Sequence, residues 1–231
     1  MKPLSYWLDT APAFRCAETG NLPARCQTAV IGGGFTGLSA ALAMARDGID
    51  VVVLEAEHVA GAASGRNGGH CNNGLVRQAA AVADAFGLEQ ARTFYRTFDQ
   101  AVETVERVTV REGIACNFRR SGKIQLAAKP SHFDSLSRTH AFLASGIDPQ
   151  TSLVGPGELS REIGSTRFHG GLVYHRSAML HPGRLGSGLA RAAHRHGARI
   201  WEDTSVTRWR RSGKGGHELE TARGTLEAEK V

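Results

Sequence analysis

The chain has 231 residues, 41% of them hydrophobic and 22% charged, a balance that fits a globular protein with a sizeable core and excludes a disordered or fibrous one. The net charge of +6 raises nucleic acid as a partner. The basic residues are scattered, however, and Arg119-Arg120, Arg191 to His196 and Arg208-Trp209-Arg210-Arg211 are short clusters without a nucleic-acid module, so a solvated basic surface is expected. Four cysteines, at 16, 26, 71 and 116, form no CxxC pair and no zinc spacing, which points to reduced thiols, no metal and a cytoplasmic location. Met1-Lys2-Pro3-Leu4 leads into no leader-type apolar run. The most apolar span, Ala29 to Ala45, is too short to cross a bilayer, so no membrane segment is expected.

In chain order, the first predicted strand is Ala29-Val30-Ile31, which runs into glycines at 32, 34 and 37. An alanine-rich helix over Leu38 to Arg46 follows, then a second strand, Val51-Val52-Val53-Leu54, stopped by Glu55. Strand, glycine turn, helix, strand and acid together predict a site for the diphosphate of a dinucleotide. Gly32 permits the tight turn, Gly34 close approach of the main chain to the phosphates, and Gly37 close packing of helix on strand. The N–H groups at the helix start, around Phe35 and Thr36, face the phosphate charge with the helix dipole behind them. Glu55 stands 18 residues after Gly37, near the spacing at which a carboxylate accepts from the adenosine ribose.

A nicotinamide-binding fold would continue into a further crossover helix and a third parallel strand. Instead, Ala56 is followed by Glu57-His58-Val59-Ala60-Gly61-Ala62-Ala63-Ser64-Gly65-Arg66-Asn67-Gly68-Gly69-His70. Such a run of small residues offers too little apolar surface for a core, yet it can pass close to a flat ligand. With Arg66 and Asn67 as a cation and an amide, it reads as a second cradle for a long polar cofactor, and FAD fits that better than NAD.

Further along, Leu88 to Glu112 carries apolar residues at 94, 98, 102, 105 and 108, a helical stripe for packing. Lys123 to Ala127 alternates as a half-buried strand, Ser131 to Ala144 reads as a helix capped by Ser131 and stopped by Gly146, and Gly170 to Tyr174 reads as a strand. Pro182 opens a helix to His196 that ends at Gly197. Arg199-Ile200-Trp201, Ser205 to Arg210, His217 to Thr221 and Thr225 to Lys230 predict short strands of a β-meander. His175 and His181 read as structural.

Val-Ile-Gly-Gly-Gly-Phe-Thr-Gly-Leu-Ser from Val30, Val-Val-Val-Leu-Glu-Ala-Glu from Val51 and Ala-Ser-Gly-Arg-Asn-Gly-Gly from Ala63 resemble FAD-dependent amine and amino-acid oxidoreductases of the D-amino-acid oxidase superfamily. The match is closest to the gamma-glutamylputrescine oxidoreductase branch, to which Ser5-Tyr6-Trp7-Leu8-Asp9-Thr10-Ala11 and Ser177-Ala178-Met179-Leu180-His181-Pro182 are also similar. The resemblance implies an α/β fold: a Rossmann-like FAD-binding domain of glutathione-reductase type with a β-meander, plus a partial α+β substrate domain. Residues 1–80 would form the first part of the FAD-binding domain. Residues 81–180 would form a helical insert and the start of the substrate domain, and 181–231 the return to the cofactor domain.

By the same resemblance Gly32, Gly34 and Gly37 bind the diphosphate and Glu55 the ribose. Ser64, Gly65, Arg66, Asn67, Gly68, Gly69 and His70 lie beside diphosphate and flavin, and Val206 contacts the adenine through its backbone. The implied reaction oxidises a C–N bond of a small amine or amino acid by hydride transfer to the flavin N5, followed by hydrolysis of the imine. No Ser-His-Asp or paired-carboxylate constellation is needed for that chemistry; His70 is the one catalytic candidate, and His70-Cys71 also raises a covalent flavin link.

The resemblance covers almost the whole chain but only the N-terminal part of a family member. A family member continues after the strand that starts near Glu227 into the rest of the substrate domain and a second flavin-contacting segment. A truncated frame, a catalytically incomplete FAD-binding fragment, or a split system with the C-terminal half as a separate chain is therefore expected. An open sheet edge and exposed apolar surface should accompany it.

Overall fold

A computed structural model describes residues 4–74, 79–213 and 215–231. Residues 1–3, on which the expectation about a leader falls, and 75–78, near the end of the first expected domain, lie outside the described residues. In chain order the elements are α1 (Tyr6–Asp9), β1 (Arg25–Ile31), α2 (Phe35–Arg46), β2 (Val51–Leu54), α3 (Ala63–Arg66), β3 (His70–Cys71), α4 (Ala79–Phe86), α5 (Leu88–Arg111) and β4 (Lys123–Leu126). They continue with α6 (Pro130–Ala144), β5 (Thr151–Val154), β6 (Gly171–Tyr174), β7 (Ala178–Met179), α7 (Pro182–Arg195), β8 (Arg199–Trp201), β9 (Val206–Arg211), β10 (His217–Thr221) and β11 (Gly224–Lys230). The chain divides into two compact units, Met1–Gly68 with Thr109–Cys116 and His181–Val231, and Gly69–Val108 with Asn117–Leu180.

The first unit is built on a six-stranded sheet of order β8-β2-β1-β11-β10-β9. All four residues of β2 are buried, because helices cover one face of the sheet and its own apolar cluster the other. α2 buries Leu38, Ala41, Leu42 and Ala45, a helical stripe of small and branched residues, and packs on α7, β1 and β2. α7 can be almost wholly buried because its glycines admit neighbours: a Cβ on Gly188 would stand 2.3 Å from Ile114 Cγ2, and one on Gly186 the same distance from Ala60 Cβ. On the other face Cys26, Val52, Leu54, Trp201, Leu219 and Leu226 form one core, and burial pushes the Cys26 thiol up to about 11.

Two sequence expectations change here. Arg199–Trp201 is a strand, but it lies parallel to β2 instead of opening the meander. The third parallel strand therefore exists; α7 delivers it late, after the second unit has been inserted in the chain. The meander is β9-β10-β11, and β11 joins the sheet parallel to β1 with Arg25 opposite Glu227. The strand on which the sequence ends is thus internal to the sheet, whose edges are β8 and β9. β8 is partly covered, since the Ile200 carbonyl accepts from Glu18 N–H at 2.8 Å.

The second unit holds the antiparallel sheet β4-β6-β5 and the short pair β3-β7. One face of β6 packs with Ala79, Val82, Tyr95, Leu136 and Leu143 from the helices, the other with Leu159, Ile163 and Phe168. α6 starts at Pro130, with Lys129 at the cap position and no capping side chain, so the expected Ser131 cap is corrected: Pro130 at N1 already sets the backbone.

Candidate functional site

Three parallel strands of the first unit end side by side, with Ile31 paired to Leu54 and Leu54 to Trp201. Their C-terminal ends carry Gly32, Glu55 and Glu202 to one end of the sheet, the usual ligand-binding end of such sheets. Gly32 leaves β1 at φ 101°, which an L side chain rarely adopts, and its N–H still reaches Leu54 O at 2.9 Å. A Cβ on Gly37 would meet Gly32 O at 2.0 Å and Val30 Cγ1 at 3.0 Å, so α2 sits on β1 at a distance that only glycine allows.

The N-terminus of α2 is rich in donors. Leu38 N–H bonds to Gly34 O at 2.9 Å and Phe35 N–H to Ser64 Oγ at 3.0 Å. Among the described residues the N–H groups of Gly34, Thr36 and Gly37 have no hydrogen-bond acceptor. Unpaired donors at the positive end of a helix suit an anion, and a diphosphate fits the set. Glu55 borders them: its Oε2 accepts from Gly33 N–H at 2.6 Å and its Oε1 from Glu57 N–H at 2.8 Å. Each oxygen keeps a lone pair for a further donor such as a sugar hydroxyl.

The run of small residues after Glu55 is not an extended loop throughout, because Ala63–Arg66 close one helical turn. Ala56 is exposed at its start. Ser64 is its structural key, supplying the acceptor for Phe35. A Cβ on Gly34 would stand 3.0 Å from that same Ser64 Oγ. Asn67 spends its amide on the turn, with Nδ2 donating to Ser64 O at 2.8 Å and Ala63 O at 3.3 Å. Arg66 is exposed and lines a cavity of about 450 Å³ together with Leu8, Phe14, Glu57, Val59 and Glu202. Gly68 ends the first segment of the first unit. Gly69 and His70 belong to the second, where Gly69 O accepts from Leu180 N–H at 2.9 Å and His70, exposed, pairs with Met179. Val206 opens β9 next to the core; two residues earlier, Thr204 N–H bonds to Glu55 O at 2.8 Å and so ties that strand's start to the end of β2.

Sequence reasoning missed three features. Gly33 N–H on Glu55 and Ser64 Oγ on Phe35 N–H join residues 22 and 29 apart, beyond any local spacing rule. Glu202 Oε1 accepts from Val59 N–H at 2.7 Å and holds the start of the small-residue run. In the second unit Asn73, Asp99, Asp148 and Ser177 are buried together: Asn73 Nδ2 donates to Asp99 Oδ1 and Asp148 Oδ2, each at 3.0 Å, and Ser177 Oγ donates to Asn73 Oδ1 at 2.8 Å. Arg176 pairs with Asp99 and stands 3.9 Å from Asp148. Among the described residues no group of three His, Cys, Asp or Glu is placed to hold a metal, and no helix is long and apolar enough to cross a membrane.

Comparison with known proteins points the same way. The family described as "FAD dependent oxidoreductase" matches residues 27–231. The chain is 32% identical over 203 residues to gamma-glutamylputrescine oxidoreductase of Escherichia coli (strain K12), covering 88% of this chain and 47% of that protein. Among solved structures, glycine oxidase from Geobacillus kaustophilus superposes with a TM-score of 0.71 at 24% identity, over 90% of this chain and 54% of that one. An L-amino acid deaminase from Proteus myxofaciens gives 0.74 at 21% identity, over 95% and 47%. The chain spans about half the length of the curated relatives it matches.

Proposed function

The chain belongs to the family of FAD-dependent oxidoreductases, and on that premise we propose that the end of its parallel sheet holds FAD for the oxidation of a small amine or amino acid. The observation that carries this reading is the set of unpaired N–H groups at Gly34, Thr36 and Gly37, bordered by Glu55. Those donors would bind the diphosphate, and Glu55 would accept from the ribose hydroxyls. Ser64, Gly65, Arg66, Asn67, Gly68 and Gly69 would flank the diphosphate and the ring, and the Val206 backbone would meet the adenine. Bound FAD supplies a two-electron acceptor for the C–H bond next to nitrogen. The protein's share is to fix the cofactor and, through its second unit as part of a substrate domain, to orient the amine. His70 is the side chain to examine for contact with flavin or substrate.

The 32% identity to gamma-glutamylputrescine oxidoreductase makes gamma-glutamylputrescine the first substrate to try for the complete protein. NAD is disfavoured by the turn of small residues after Glu55, which suits close passage of a longer cofactor. The test is to purify the chain, release bound ligand with acid and record its absorbance, then titrate the apoprotein with FAD. A flavin spectrum or saturable FAD binding supports the reading. A colourless protein indifferent to FAD overturns it.

A further inference from the structure

This inference rests on the reading above, that the turn at Ser64-Gly65 flanks the diphosphate. We infer that the N-terminal arm, residues 5–14, is a positioning element for that turn, with Leu8 bearing on it and a Thr10–His181 pair latching the arm in place.

α1 is a single turn of four residues, too short to be stable alone, so docking must order it. Its seat is built for main-chain contact: a Cβ on Gly183, in the first turn of α7, would meet Trp7 O at 2.3 Å. Gly65 is held from two sides, since a Cβ there would lie 2.1 Å from Ala60 O and 2.9 Å from Leu8 Cδ2. The adjoining residue, Ser64, gives Phe35 N–H its acceptor. A shift of Leu8 therefore frees Gly65, displaces Ser64 and alters the donor set at the start of α2.

The latch has defined proton positions. His181 is buried at the cap of α7, and its Nδ1 accepts from Arg184 N–H at 3.2 Å. The ring proton is therefore on Nε2, which donates to Thr10 Oγ1 at 2.9 Å, while the Thr10 hydroxyl donates to Tyr6 O at 2.6 Å. Trp7 meets the same ring edge-on, with centroids 4.9 Å apart.

The titratable groups on the elements packed around His181 are Arg184 on its own helix, Tyr6 and Asp9 on the arm, Arg66 on α3, and the buried Cys116, whose backbone O accepts from His181 N–H. Glu112 is engaged with Arg195 and His196 at the other end of α7. A proton on Nδ1 would cost Arg184 N–H its acceptor and set a cation beside Arg184. Burial and the Arg184 charge lower the His181 pKa. Trp7 and Thr10 of the arm supply part of that burial, and to that extent the docked arm binds this proton more weakly than the free arm. Docking is at full strength above the ordinary histidine range and weakens as pH falls through about 6.5.

The experiment measures FAD affinity of the full chain by flavin fluorescence at about pH 8 and about pH 5.5, either side of the histidine range. Hydrogen exchange of the 62–66 amides in the apoprotein is followed beside it. Leu8→Ala and Thr10→Val are expected to weaken FAD about five- to tenfold at the higher pH and to speed exchange in the turn, and Leu8→Met to restore both. His181→Asn keeps a capping acceptor but does not titrate, so the fall in wild-type affinity on acidification should vanish. Wild-type affinity and exchange in Leu8→Ala and Thr10→Val, at both pH values, overturn the inference. If the wild type binds no FAD, the cofactor reading fails, while exchange in the turn still decides the arm's role.

Discussion

Both units have apolar cores, but each is completed in a different way. Around β1 and β2 the first unit buries apolar side chains and lets backbones approach through glycines, with Gly37 against Gly32 O as the tightest case. The second unit buries two carboxylates, an amide and a hydroxyl in one network, with the half-exposed Arg176 as their cation. The first kind of core is nearly indifferent to pH but intolerant of a single added carbon. The second tolerates changes of volume better than the loss of one hydrogen-bond partner. Because there are two units, each effect is best read by hydrogen exchange within its unit and not from one melting temperature.

The sharpest test of the contrast is Asn73→Leu. It leaves buried oxygens on Asp99, Asp148 and Ser177 without a partner, and should destabilise the second unit by about 4 kcal/mol. Exchange in β4 and β6 should rise while that in β1 and β2 stays at the wild-type level. Its counterpart is Gly37→Ala, which drives one methyl into Gly32 O and should cost the first unit about 3 kcal/mol, at the upper end of overpacking. Ser64→Ala is milder. Loss of the acceptor for Phe35 N–H is a lost helix cap, worth about 1 kcal/mol, read as faster exchange at the start of α2. If Gly37→Ala proves neutral, or Asn73→Leu loosens both units alike, the contrast is wrong.

The same contrast marks what was legible in the sequence. β2 matches its expected bounds, Val51 to Leu54, because four apolar residues between Asp50 and Glu55 leave one period to choose. α7 ends within one residue of expectation, since Pro182 and Gly197 punctuate it. Arg199–Trp201 was legible as a strand, but not its parallel place beside β2: strand identity is local, whereas pairing depends on the crossover through α7. β5, Thr151–Val154, went unread because its short mixed run gains meaning only beside β6. The glycines and Glu55 announce a nucleotide by spacing. Ser64 and Glu202 do not, because their partners are distant in sequence. Asn73, Asp99, Asp148 and Ser177 come from four separate segments of ordinary polar composition, and only the fold makes them one group.

The smallest effect separates the units by pH. Arg176 pairs with Asp99 and stands near Asp148, which the Lys123 charge also reaches, and burial raises the Asp99 pKa against the pull of Asn73 and Arg176. The folded second unit therefore binds a proton at Asp99 more readily than the unfolded chain does. In linkage this makes it more stable as pH falls through the raised Asp99 pKa toward the ordinary Asp value of about 3.9, until other carboxylates protonate. His181 in the first unit has the opposite sign, so mild acid should loosen the arm while slowing exchange around Asp99. Asp99→Asn keeps one acceptor oxygen, enough for Asn73 or Arg176 but not for both, and removes the titratable charge. It should abolish the acid-induced slowing in the second unit, read as the difference between two pH values in the same variant, and leave the response of the arm intact. A variant that still slows on acidification would place the responsible proton elsewhere in the network.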